Sequence, residues 1–341
     1  MSVERRAPSS PRYAVCPMPY ALTDSELAAA IEHLLGAGVC DVFDDADVTE
    51  LYVNPDGRLW TMRYSRGRTL EAGIELKPKQ IEQFLNVLAS STGATLDADR
   101  PALKAEMPRE RFRGSRVQGE IPPLVRAPGF NLRKPPSRIK PLDEYVEAGE
   151  LTPVDRELLR VAVRERWNVV VAGSTASGKT TLANAVLHEM HEQAASQGRF
   201  EHFLILEDTV ELLYEAPDVT ALRTPDRWSL GDLVAITLRK SPDRIIVGEV
   251  RDGAAMHMLH AFRTHTGGLC TVHATTPVRA LHALDWLARE HAKSSQLELV
   301  GDVIDLVVMI KNTPAGRRVS DLARVDGLDE RGRFQIFPLA A

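Results

Sequence analysis

Gly173-Ser174-Thr175-Ala176-Ser177-Gly178-Lys179-Thr180 is the stretch whose reading decides the fold. It fits G-x-x-x-x-G-K-[ST], a loop that wraps phosphate. The apolar run Val169-Val170-Val171-Ala172 precedes it, and the helix-forming run Thr181-Leu182-Ala183-Asn184-Ala185-Val186-Leu187 follows. Strand, glycine-rich loop and helix in that order are the context such a loop requires. The glycines let the backbone approach an anion with no Cβ in the way. Loop N–H groups and the helix N-terminus then point at the anion. In this arrangement Lys179 reaches the β- and γ-phosphates and the Thr180 hydroxyl takes Mg²⁺. The candidate phosphate-binding residues are therefore Gly173, Ser174, Thr175, Ala176, Ser177, Gly178, Lys179, Thr180 and Thr181.

Working outward, the 341 residues are enough for two domains, each with its own core. A 44% hydrophobic and 26% charged composition is that of a soluble globular protein. The net charge of −5 argues against a chain built as a nucleic-acid binder, and no sequence-specific binding to nucleic acid is expected. No apolar stretch approaches the ~20 residues that span a bilayer. The opening MSVERRAPSSPRY has no apolar core of the kind a secretory signal needs. Cys16, Cys40 and Cys270 lie far apart, so neither a zinc module nor a disulfide framework is expected, and the reducing cytosol suits the chain.

Residues 1–20 are Pro-rich and read as a flexible tail. A helix starts at Thr23-Asp24-Ser25-Glu26, with Leu27, Ile31, Leu34 and Leu35 as its apolar face. Glu50–Val53 reads as a strand, Asn54-Pro55-Asp56-Gly57 as a turn, and Leu59–Met62 as the partner strand. Ile81, Phe84, Leu85 and Leu88 again keep helical spacing. Residues 21–134 thus form a small α+β domain. From 109 to 140 nine Lys/Arg face only Glu110 and Glu120, and the Pro-rich end, 135–141, reads as a linker. Three readings of the basic stretch stand: a phosphate or subunit contact, an anionic lipid contact, or a solvated face. Residues 142–341 alternate strand candidates (168–172, 203–206, 244–247, 269–272, 304–310) with helical patterns, so a mostly parallel sheet covered on both faces is expected.

Hydrolysis of a nucleotide asks for carboxylates as well as a phosphate cradle. Two apolar strands run into acids: Leu204-Ile205-Leu206 into Glu207, Asp208 and Glu211, and Ile245-Ile246-Val247-Gly248 into Glu249. In open α/β sheets the ligand lies at the carboxyl ends of strands, where these acids fall. The plain alternative for each is a solvated acid after a buried strand. A third cluster, Thr264-His265-Thr266-Gly267-Gly268-Leu269-Cys270-Thr271-Val272-His273-Ala274, sets two histidines around a short strand without metal-ligand spacing. His273 is either a structural residue or a phosphate sensor.

Four motifs now stand in order: GSTASGKT, ILEDTVEL, RIIVGEVR and HTGGLCTVHA. Together they resemble the secretion (traffic) ATPases of type II and type IV secretion and of type IV pili. Within that family the chain is most similar to the conjugative-transfer, TrbB-type branch. The resemblance implies a RecA-like P-loop NTPase domain of α/β class preceded by a smaller PAS-like α+β domain. It implies a homohexameric ring that binds ATP and Mg²⁺, hydrolyses ATP, and works at the cytoplasmic face of the inner membrane on components of a secretion or conjugation channel, with possible peripheral membrane contact. Pilus extension or retraction, or type II secretion, is the alternative. Carried over, Lys179, Glu207 and Glu249 are the catalytic set, Thr180 and Glu207 hold Mg²⁺, and His273 senses the γ-phosphate. Arg113, Arg116 and Arg133 are the arginines expected to reach phosphate. Thr264 before His265, and Arg251-Asp252-Gly253, depart from the family's usual residues.

Overall fold

The computed structural model describes residues 23–224, 228–314 and 316–339; the first twenty residues, read above as a tail, and Cys16 lie outside them. Between Pro135 and Pro136 the chain divides into two compact units.

The first unit runs α1 (Asp24–Leu35), α2 (Ala37–Asp44), β1 (Val48–Val53), β2 (Arg58–Arg63), β3 (Gly67–Glu75), α3 (Pro78–Ser91), β4 (Ala102–Glu106), α4 (Arg109–Phe112), β5 (Arg116–Glu120) and β6 (Gly129–Arg133). Thr23 caps α1 reciprocally: its hydroxyl accepts the Glu26 N–H at 3.2 Å, and the Glu26 carboxylate accepts the Thr23 N–H at 2.9 Å. The six strands pair antiparallel in the order β3-β2-β1-β6-β5-β4. Alternate residues (Leu51, Val53, Leu59, Val117, Leu132) pack against Ile31 of α1 and Phe84, Leu85 and Leu88 of α3. The basic stretch therefore contributes a one-turn helix and two strands of this sheet, in addition to irregular chain.

The second unit runs α5 (Leu142–Glu147), α6 (Pro153–Arg164), β7 (Val169–Gly173), α7 (Lys179–Ser196), β8 (Phe203–Glu207), β9 (Val219–Arg223), α8 (Leu230–Thr237), β10 (Arg244–Val247), α9 (Ala254–Thr264), β11 (Leu269–His273), α10 (Pro277–Ala292), α11 (Leu297–Val303), β12 (Leu306–Thr313), β13 (Gly316–Leu328) and β14 (Phe334–Pro338). Its sheet has the order β14-β13-β12-β7-β11-β10-β8-β9. β12 through β9 are parallel, and β13 and β14 extend one edge antiparallel. β9, β13 and β14 were not among the expected strands; their mixed burial gives no continuous apolar run to read.

The central strands are buried on both faces. Val169 and Val171 pack with Leu182, Val186 and Met190 of α7, while Val170 and Ala172 pack with Met258 of α9 and Leu281 and Leu284 of α10. Burying each such large side chain contributes about 1.5–3 kcal/mol. Asn168, buried just before β7, fixes the strands lengthwise. Its side chain donates to the Val303 carbonyl at 2.8 Å and accepts the Gly268 N–H at 2.8 Å, and its own N–H donates to Asp305 at 2.8 Å. With these starts tied, β7 and β11 end level, Gly173 pairing with His273 on one side and with Ile310 on the other, while β12 runs on to Thr313.

Candidate nucleotide site

The phosphate-loop residues rise from the end of β7 and close onto α7. Gly173 has no room for a side chain: a Cβ there would overlap the Ile310 carbonyl oxygen and the Ser177 hydroxyl. Ala176 and Gly178 both take left-handed backbone, at φ 59° and 97°. Those turns fold the loop back so that α7 starts at Lys179, and Gly178 offers no side chain to cap the first turn. The N–H groups of that turn are oriented for an anion.

Lys179 is buried, and its ammonium donates to the Ser174 carbonyl at 3.0 Å and to His273 Nδ1 at 3.1 Å. Because an ammonium only donates, Nδ1 accepts, and the proton of the neutral ring sits on Nε2. Nε2 lies 2.7 Å from Glu249 Oε1. The other Glu249 oxygen accepts from Arg251 Nε at 2.7 Å. Lys179, His273, Glu249 and Arg251 form one chain across the ends of β7, β11 and β10. Burial works to raise the Glu249 carboxyl, but the Arg251 guanidinium, then His273 and Lys179, outweigh it and hold it below the usual carboxylate range. Burial and then Lys179 hold His273 below its ordinary value, against the pull of Glu249. At neutral pH the pair is an ionised carboxylate beside a neutral imidazole.

The second acid loop follows β8. Glu207 is buried, and its Oε1 accepts the N–H groups of Glu211 and Leu212, each at 2.8 Å. Gly248 leaves room for it, since a Cβ at that position would stand 3.0 Å from Glu207 Cγ. Asn184, one turn along α7 from Thr180, accepts the Leu213 N–H at 3.0 Å and donates to the Glu211 carbonyl at 3.3 Å. Held this way, Glu211 accepts the Thr180 hydroxyl at 3.0 Å. Asp208 turns aside to the Thr224 hydroxyl at 2.9 Å. On the other strand, Thr271 donates to the Gly248 carbonyl at 2.7 Å and fixes the peptide before Glu249.

A loop with glycines where a Cβ would block it, a buried lysine, a hydroxyl beside a carboxylate and an ionised glutamate at the strand ends fit a nucleoside triphosphate and Mg²⁺. The type II/IV secretion system protein family matches residues 26–313.

The chain belongs to that family.

A probable conjugal transfer protein TrbB of Sinorhizobium fredii is 39% identical over 91% of this chain and 93% of its own length. The conjugal transfer protein TrbB of Rhizobium radiobacter is 38% identical over 88% and 91%. Among solved structures, the Legionella pneumophila ATPase DotB has the same fold, with a TM-score of 0.62, 18% identity, and coverage of 93% of this chain and 84% of that one.

Of the residues expected to act in this secretion-family protein, the structure brings Lys179, His273 and Glu249 together and sets Thr180 beside the loop that Glu207 anchors. The three arginines belong to the first unit. Arg113 takes left-handed backbone after α4, and Arg116 and Arg133 are register partners across β5 and β6. Arg133 Nε lies 3.8 Å from Glu50. His265 is the C-cap residue of α9, and its ring meets the Thr264 hydroxyl at 2.9 Å. The Asn184, Thr271 and Arg251 roles were missed. Asn184 had a readable signal, because it stands four residues after Thr180 on the same helix face. No helix among the described residues is long and apolar enough to cross a membrane.

Proposed function

We propose that the protein is an ATP-hydrolysing motor of a type IV secretion apparatus devoted to conjugative transfer, and that it works as a homohexamer at the cytoplasmic face of the inner membrane. The conjugal-transfer names of two of its relatives support the transfer role. The observation that carries the enzymatic reading is the chain from Lys179 through His273 to Glu249 at the mouth of the phosphate loop.

In this reading the loop N–H groups and Lys179 bind the β- and γ-phosphates, while Thr180 and the acid loop behind it hold Mg²⁺. The metal supplies charge neutralisation for the transferred phosphoryl group. Glu249, ionised and pinned through Gly248 and Arg251, orients the attacking water and accepts its proton. His273 touches both Glu249 and Lys179, so a change in what Lys179 binds is felt at the carboxylate that handles water. Glu207 sets the backbone of the acid loop. Arg113, Arg116 and Arg133 are further proposed phosphate contacts, and 135–141 serves as the linker between an N-terminal α+β domain and the ATPase domain. Channel proteins of the inner membrane are the partners.

Phosphate release by the purified chain tests this. Mg²⁺-dependent ATP turnover is expected, absent in Lys179→Ala and trapped with bound ATP in Glu249→Gln. Full turnover in both variants would sink the site. Purification of the Glu249→Gln protein from its host's membranes should retain conjugation-channel components; pilin-assembly platform proteins in their place would move the motor to pilus dynamics.

A further inference from the structure

We infer that Arg317, on the hairpin joining β12 and β13, is a nucleotide-phosphate ligand supplied by the ATPase unit itself. The inference rests on reading Gly173–Thr180 as a nucleotide loop. β12 lies directly beside β7, with Ile310 paired to Gly173, so the next residues of the hairpin project past the strand ends alongside the loop. Asn312 donates its side-chain amide to the Ala176 carbonyl at 3.4 Å. Its register partner across the hairpin is Arg317. The half-buried Arg317 side chain lies against Gly178: a Cβ there would stand 3.1 Å from Arg317 Cδ and 3.5 Å from Nε.

Gly178 opens α7. A helix N-terminus carries partial positive charge, so a cation there is disfavoured. Here Lys179 and Arg317 both stand at that end. An anion in the loop is attractive to the guanidinium, the ammonium and the turn's N–H groups alike. Guanidinium suits a phosphate better than ammonium does at a position approached from the side, since its planar fork offers two parallel donors. Gly178 thus serves twice, giving the loop its left-handed turn and leaving clearance for the arginine stem.

The test is equilibrium binding of a fluorescent ADP to the full chain at low and high salt, with Arg317→Met, Arg317→Lys, Arg318→Met and Lys179→Ala. Arg317→Met keeps the stem against Gly178 and removes the charge. It should weaken binding by about tenfold at low salt, the scale of one charge-assisted hydrogen bond, with the gap narrowing at high salt. Arg317→Lys should recover part of the loss, and Arg318→Met, altering an exposed neighbour, should bind as wild type. Wild-type affinity in Arg317→Met beside a weakened Lys179→Ala overturns the inference and leaves the loop standing. A salt-independent loss that lysine does not recover makes Arg317 a packing residue and overturns it too. Wild-type affinity in Lys179→Ala removes the loop reading itself.

Discussion

Thr180 and Glu211 lie thirty-one positions apart, on different elements, and the hydroxyl of one donates to the carboxylate of the other at 3.0 Å. A phosphate-loop threonine next to an acid is the pair that holds Mg²⁺ in nucleotide hydrolases of this class. Glu211→Gln should cut Mg²⁺-dependent turnover by about 10²-fold and leave ADP binding in the presence of a metal chelator near wild type. Turnover and chelator binding, measured on one preparation, check both halves.

Glu249→Gln keeps the shape of the site and removes the carboxylate proposed to accept the proton. Loss of a positioned base costs about 10²–10⁴-fold in turnover. The variant should still fill with ATP, which a filter-binding assay would detect; unaltered turnover would transfer the role to another acid.

Gly173→Ala places a methyl against the Ile310 carbonyl and the Ser177 hydroxyl. Overpacking of this kind costs about 1–3 kcal/mol. A lowered melting temperature with weakened nucleotide binding is expected. Thermal denaturation with and without ADP reads both effects.

His273 should give the protein a pH-dependent stability. Its folded value lies below the ~6.5 of an unfolded histidine. Between the two values the unfolded chain binds more protons. The stability from the neutral ring is therefore complete above the unfolded value and is lost as pH falls through the window. The ring is half exposed, so the slope is shallow. Melting curves from about pH 8 to pH 5 should fall less steeply for His273→Asn than for wild type.

Lys134 gives a second titration, in the first unit. Burial, then Arg113, pushes its ammonium down to about 8 while it donates to the Phe43 and Asp45 carbonyls. The unfolded value is ~10.4, so stability contributed at this position rises as pH climbs from about 8 toward it. NMR of side-chain-labelled lysine should show one resonance titrating near pH 8 that Lys134→Met removes.

The P-loop and the five central strands were legible because each is a short apolar run with a sharp boundary, and because a phosphate loop has few chemical solutions. β13 was not, since as a long strand of alternating burial it presents isolated apolar residues among arginines and aspartates. Glu249 and His273 could be read from their place at strand ends. Glu207 is the acid expected from the sequence beside Thr180, whereas the structure sets Glu211 against that hydroxyl, because the outcome depends on which way a turn carries each side chain. Glu207 spends an oxygen on backbone N–H groups, Asp208 meets Thr224, and only the resulting turn delivers Glu211 to Thr180. Spacing alone does not encode that.

Asn184 has a wider consequence. It grips residues 211–213 from the same helix that carries Lys179 and Thr180. The hydroxyl and the acid are therefore tied to a single rod, and Glu207 fastens the same loop to the end of β8. The partners of Lys179 across the strand ends, His273 and Glu249, sit on β11 and the loop after β10, outside that rod. Lys179 therefore bridges two bodies, the helix that carries Thr180 and its acidic neighbour, and the strand ends that carry His273 and Glu249.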